Sequence, residues 1–174
     1  MLFRSQWAVY VEQRARQDGD SVATVGMLNV PQGSINVVPG ACHFSLDMRA
    51  PNDNQRDALA HDILQRLRDI CAERGLLYQL EETVRASAAP SDASLQRRWE
   101  QAVAELGLPI HRMPSGAGHD AMKMHHVMPQ AMLFVRGENS GISHNPLESS
   151  TCHDMELAVH AMSHLFEQLE TESE

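Results

Sequence analysis

The sequence predicts an α/β protein, in the broader α+β sense, made of two halves that each lack part of a sheet. Three observations carry this expectation. Hydrophobic periodicity orders the first half as α-β-β-α-β and the second as α-β-α-β-α. Between them lies a small, weakly patterned, proline-bearing stretch, Arg85-Ala86-Ser87-Ala88-Ala89-Pro90-Ser91, which sets a boundary between 1–85 and 86–174. With 174 residues, 43% hydrophobic and 21% charged, the chain can bury one ordinary core or two small ones and is not of disordered composition.

The elements follow in order. Trp7, Ala8, Val11 and Ala15 recur at spacings of three and four, predicting a helix over 4–16 that ends near Gly19. Residues 22–30 read as a strand. After Pro31-Gln32-Gly33-Ser34 and Pro39-Gly40, the alternating run 42–48 reads as a half-buried strand paired with its predecessor. Asp53 is placed to cap a helix over 54–74, with Leu59, Ile63, Leu67 and Ile70 on one stripe and Gly75 as its stop. Residues 76–84 then read as a strand. This half is one strand short of the ferredoxin-like βαββαβ unit. In the second half, a helix over 94–106 stops at Gly107, a short strand covers 110–113, and a glycine-rich loop covers 115–118. A short helix over 120–126 comes next. The continuous apolar run 131–135 has the character of a strand buried on both faces. A loop over 137–150 leads to a final helix whose Met155, Ala158, Val159, Met162, Leu165, Phe166 and Leu169 share a face.

Charge and composition exclude several classes of function. Fourteen Lys and Arg against 23 Asp and Glu give a net charge of −9, so nucleic acid and anionic membrane surfaces are poor partners. No apolar run approaches a spanning length and the N-terminus has no signal-peptide order, so a cytoplasmic location is expected. Three cysteines without CxxC spacing suggest neither a disulfide framework nor a thiolate zinc site.

Ten histidines permit metal or acid/base chemistry without proving it. The loop Pro114-Ser115-Gly116-Ala117-Gly118-His119-Asp120 joins a strand to a helix. Its glycines let backbone N–H groups approach an anion, and a tight turn with a solvated His is the alternative. Gly141-Ile142-Ser143-His144-Asn145-Pro146-Leu147-Glu148 follows the apolar strand, where open α/β sheets bind ligands; His144 is a candidate metal ligand or a plain loop His. Asn36 and Arg49 flank the two paired strands. A guanidinium fork suits a substrate carboxylate and an amide suits a ureido group, while a turn Asn and a rim Arg are the alternative. Glu156, His160 and His164 lie opposite the apolar stripe and read as a solvated face.

Taken in order, Asn36-Val37-Val38-Pro39-Gly40, Asp47-Met48-Arg49, the Pro114 to Met122 loop and the Gly141 to Glu148 loop resemble the metal-dependent amidohydrolases. That family includes allantoate amidohydrolase, N-carbamoyl-L-amino-acid hydrolase and β-ureidopropionase, relatives of the dinuclear-zinc aminopeptidases. The resemblance implies an incomplete ferredoxin-like dimerisation or lid domain over 1–85, followed by the C-terminal part of an aminopeptidase-like α/β catalytic domain over 86–174. It implies substrate binding through Asn36, Arg49, Gly116, Gly118 and His119, metal binding through His144, and a homodimer formed through the first domain. It also implies two divalent metals, Zn or Mn, per intact subunit. The family's other ligands and its general-base Glu have no counterpart in this sequence, so a missing N-terminal polypeptide is expected to supply them. One imidazole cannot hold an open catalytic zinc, which takes about three protein ligands. Metal is therefore not expected to bind well to this chain, and the chain alone is expected to be inactive. A non-catalytic dimerisation or substrate-clamp module is the alternative.

Overall fold

The computed structural model describes residues 2–171. Two compact units divide them, residues 1–88 with 114–118, and residues 89–113 with 119–174. Mixed helix with few strands is the architecture. The loop 114–118, far along the chain, groups with the first unit.

In the first unit, α1 (Leu2–Gln17) and α2 (Asp53–Arg74) pack on each other and on an antiparallel hairpin. Trp7, Val11 and Ala15 of α1, one turn apart, meet Leu59, Ile63, Leu67, Ile70 and Cys71 of α2 in the core. Ala23, Val25, Phe44, Leu46 and Met48 close it from the hairpin side. The indole N–H of Trp7 donates to the Ile63 carbonyl at 3.1 Å, which satisfies the one polar atom that burial of this ring removes from water. Arg14 fastens the same helix pair, reaching Asp62 and Asp18 at 2.7 Å each. The α2 cap falls one residue before the expected Asp53. Asn52 Oδ1 accepts from the Gln55 N–H at 2.9 Å, while Asp53 Oδ1 accepts from the Ala88 N–H at 2.8 Å. Gly75 ends the helix as expected, with φ of 61° in the left-handed region that costs glycine least.

The hairpin contains a register change that the sequence did not disclose. β1 (Val22–Thr24) pairs with β4 (Asp47–Arg49), and β2 (Leu28–Asn29) pairs with β3 (His43–Phe44). Val22 faces Arg49 and Thr24 faces Asp47, but Leu28 faces Phe44, so Val25, Gly26 and Met27 lie opposite only Ser45 and Leu46. One extra residue of this kind is a β-bulge. Ser45 spans it, its N–H donating to the Met27 carbonyl at 3.1 Å and its hydroxyl oxygen accepting from the Met27 N–H at 3.0 Å. Removing that acceptor in Ser45→Ala is expected to cost about 1 kcal/mol, at the low end because water can reach the freed N–H. Amide exchange at Met27 checks it: unchanged protection in the variant would show that another group holds the bulge.

In the second unit, α3 (Ala93–Glu105) and α5 (Cys152–Thr171) pack through Ala102, Ala161 and Leu165. Asp92 Oδ1 caps α3 by accepting from the Ser94 and Leu95 N–H groups at 2.9 Å. Arg98 donates to the Gln168 carbonyl at 3.3 Å, and His164 Nδ1 lies 3.2 Å from Glu105 Oε2, tying the two helices along their length. A single short helix, α4 (Ala121–Met124), follows the glycine-rich loop.

Residues 76–84, 110–113 and 131–135, expected as strands, form no ladder with any described strand. Their apolar character is real, but a strand is defined by its neighbour, and no described strand pairs with these segments. No described helix is long and apolar enough to cross a membrane.

Candidate functional site

Arg49 is the best-defined polar centre of the first unit. The pleat of β4 sends Met48 toward the helices and leaves Asp47 and Arg49 on the exposed face. Spaced two residues apart, their side chains meet: Arg49 Nε donates to Asp47 Oδ1 at 2.7 Å and Nη2 to Oδ2 at 3.4 Å. Nη1 donates to the Gly116 carbonyl at 2.6 Å. The carboxylate of Asp47 raises the guanidinium pKa further, so the positive charge is fixed. Each terminal nitrogen carries a second N–H beyond these bonds. The group is thus held on one edge by Asp47, anchored to the loop by Gly116, and half exposed to an incoming anion.

Sequence reasoning named both Arg49 and Gly116, and the structure brings them together across 67 residues. The loop was expected to present N–H groups to an anion; toward Arg49 it offers a carbonyl, the only partner a donating guanidinium can take from it. Ser115 Oγ donates to the Ala117 carbonyl at 3.1 Å within the same loop, which Gly118 closes. A Cβ placed on Gly116 would meet nothing within 4 Å. Asn36 sits in the exposed turn between β2 and β3, where its Oδ1 accepts from the Ser34 hydroxyl at 3.3 Å. Among the described residues no hydrogen bond joins it to Arg49.

His119 and His144 belong to the second unit. The His119 carbonyl accepts from the Met122 N–H at 2.9 Å and so opens α4. His144 has φ of 56°, uncommon for a residue with a side chain. Such a conformation persists only where the surroundings over-determine it. Here the His144 N–H donates to Glu148 Oε2 at 2.8 Å, Asn139 Nδ2 donates to the Leu147 carbonyl at 2.8 Å, and the Glu138 N–H donates to the Ser149 carbonyl at 2.9 Å. The loop is therefore cross-tied at its base and at its tip, with the His144 imidazole exposed.

A metal site would need several donors converging on one point. Among the described residues no three His, Cys, Asp or Glu side chains do so. The described donors do not by themselves assemble a metal centre. Of the helical positions, His164 lies 3.2 Å from Glu105 and 3.5 Å from Glu167. Burial pushes the Cys71 thiol pKa up, in keeping with an inert core residue. Two residues that hold the candidate site in place escaped the sequence reading. Asp47 was seen only as part of a motif, although its i, i+2 spacing from Arg49 on a strand puts both on one face. Glu148, four residues past His144, carried no assigned role.

The held guanidinium of the first unit and the cross-tied histidine loop of the second are the polar features in which the chain's family can be sought. The chain belongs to Peptidase family M20/M25/M40, whose sequence profile matches residues 6–168. It is 33% identical over 169 residues to N-carbamoyl-L-amino acid amidohydrolase of Geobacillus stearothermophilus, covering 97% of this chain and 41% of that protein. With allantoate amidohydrolase of Bacillus subtilis it shares 30% over 146 residues, 84% of this chain and 35% of that one. The crystal structure of a hydantoinase/carbamoylase family amidase from Burkholderia multivorans superposes with a TM-score of 0.89 at 30% identity, covering 94% of this chain and 40% of that chain. The chain therefore spans about two-fifths of the length of these relatives.

Proposed function

We propose that this chain is the substrate-gripping part of a hydrolase that cleaves a linear C–N bond, ureido or amidine, in a small carboxylate such as allantoate or an N-carbamoyl-L-amino acid. The observation that carries the reading is Arg49. A guanidinium held by Asp47 and Gly116, with N–H donors to spare, is preorganised for a carboxylate. In this reading Asn36 binds the ureido end or the carboxylate, Gly116, Gly118 and His119 wall the substrate, and His144 contributes an imidazole to a metal centre of Zn or Mn. The remaining ligands and the general base come from outside the chain. The first unit is read as a ferredoxin-like lid without its first strand, supported by its helix–hairpin–helix order, and as the surface for a homodimer.

A purely non-catalytic clamp is the second reading, favoured by the lack of a donor cluster among the described residues. One experiment separates them. The chain is fused to, or co-expressed with, the part of the Geobacillus stearothermophilus relative outside the matched region, and ammonia release from N-carbamoyl amino acids and from allantoate is measured. Turnover by the assembled form and none by the chain alone is expected. Silence of a folded assembly on both substrates would leave the clamp reading, and turnover by the chain alone would refute the division of labour.

A further inference from the structure

Asp47 commits its whole carboxylate to one neighbour. Its Oδ1 accepts from Arg49 Nε at 2.7 Å and its Oδ2 from Nη2 at 3.4 Å, and among the described residues neither oxygen has another partner. Both side chains are more than half exposed, so the pair lies outside the core, which Met48 joins from the opposite face of the strand. Exposed ion pairs contribute little to stability, which leaves orientation as the property this contact changes most. A guanidinium carries five N–H donors in one plane. Asp47 takes the Nε–Nη2 edge, and the Gly116 carbonyl, 2.6 Å from Nη1, takes one donor of the third nitrogen. One donor on Nη1 and one on Nη2 stay open, along the edge that Asp47 leaves untouched.

We propose that Asp47 is a positioning residue that sets which edge of Arg49 meets the substrate, presenting the Nη1–Nη2 edge to a singly charged, planar carboxylate. The inference rests on the reading of Arg49 as the carboxylate anchor and adds how that anchor is aimed. Two effects of Asp47 oppose each other. Its charge lies beside the guanidinium and repels an arriving anion, so by charge alone its removal would strengthen anion binding. Its two hydrogen bonds hold a long side chain that binding would otherwise have to immobilise. Water screens the first effect at so exposed a pair, whereas immobilising one rotamer-rich side chain costs about tenfold in affinity. Orientation therefore wins. Because Asp47 also cancels the charge of Arg49, attraction depends on the match between two coplanar donors and two carboxylate oxygens rather than on a general positive field.

The full chain is prepared with isotope-labelled arginine, and the Arg49 guanidinium is followed by nuclear magnetic resonance, first alone and then during titration with N-carbamoyl-L-alanine. In the free chain, rotation of the Arg49 terminal groups should be slow enough to separate their signals, and Asp47→Asn should merge them. Affinity for the probe should fall about 10-fold in Asp47→Asn and become more sensitive to salt. Asp47→Glu, which keeps the charge and both oxygens, should recover part of the loss. Amide exchange in α1 and α2 should be the same in all three forms, and faster exchange there in Asp47→Asn would make the role structural and overturn the proposal. Arg49 signals equally restrained in Asp47→Asn, or a probe affinity that stays level or rises, would overturn it as well. Signals that Asp47 restrains but the probe leaves unmoved would refute the carboxylate reading of Arg49 while upholding the hold of Asp47 on the guanidinium, so the two failures are told apart.

Discussion

Replacing Trp7 by alanine is expected to lower the stability of the first unit by about 3–5 kcal/mol. The ring is 1% exposed, lies 4.5 Å from the Phe44 ring between centroids, and sits against the α2 residues that form the rest of the core. Its loss opens a cavity lined by groups from both helices and the hairpin, which cannot collapse without separating them. The Ile63 carbonyl also loses the indole donor, although that carbonyl retains its place in the α2 backbone ladder. Val9 lies two residues away on the same helix and is 50% exposed, so Val9→Ala is expected to change stability by under about 0.5 kcal/mol. A two-unit chain need not unfold in one step, so amide exchange in α1 and α2 is the suitable measure, with α3 and α5 as an internal reference. Equal costs for the two variants would show that the core does not lie on the Trp7 face.

That contrast was legible in the sequence, because a helix advertises its buried face through spacing alone. The same local logic gave the stop at Gly75 and the span of α2. It erred at the α2 cap, where Asn52 and Asp53 both suit the role and the choice depends on Asp53 being taken by the Ala88 N–H, 35 residues away. Strands were harder for the same reason. The apolar pattern of 131–135 states what the segment needs, not whether a neighbour is present to supply it. The final helix was likewise read correctly as a helix, but of its seven-residue apolar face the structure buries only Leu165 and leaves Met155, Val159, Met162, Phe166 and Leu169 exposed. In the hairpin, alternation predicted the pairing of 22–30 with 42–48 but not the bulge that Ser45 spans. At the site, residue chemistry singled out Arg49 and the glycine loop separately. Their contact is a property of the folded first unit, and no spacing rule connects positions that far apart.

If the proposed function holds, the assembled protein separates Arg49 from His144 by the manner in which each variant fails. Arg49→Ala removes the one fixed cation proposed to meet the substrate carboxylate. Loss of a bidentate, charge-assisted contact costs on the order of 2–4 kcal/mol, or roughly 30- to 1000-fold in kcat/KM. Arg49→Lys should recover part of this, since an ammonium keeps the charge but cannot span two carboxylate oxygens while also holding Asp47 and the Gly116 carbonyl. Metal content should be the same in both Arg49 variants. His144→Ala should instead lower the metal bound per assembled chain, because its imidazole is the donor that this loop is proposed to contribute. Its backbone is held by the Glu148 carboxylate, so the loop itself should survive the loss of the ring, and unchanged exchange at the amides of 138–149 checks that the variant remains folded there. The two measurements, metal per chain and kcat/KM for a carboxylate-bearing substrate, therefore place the variants in different quadrants. Metal lost in Arg49→Ala and kept in His144→Ala would reverse the two roles, and with them the reading of which loop faces the substrate's anionic end.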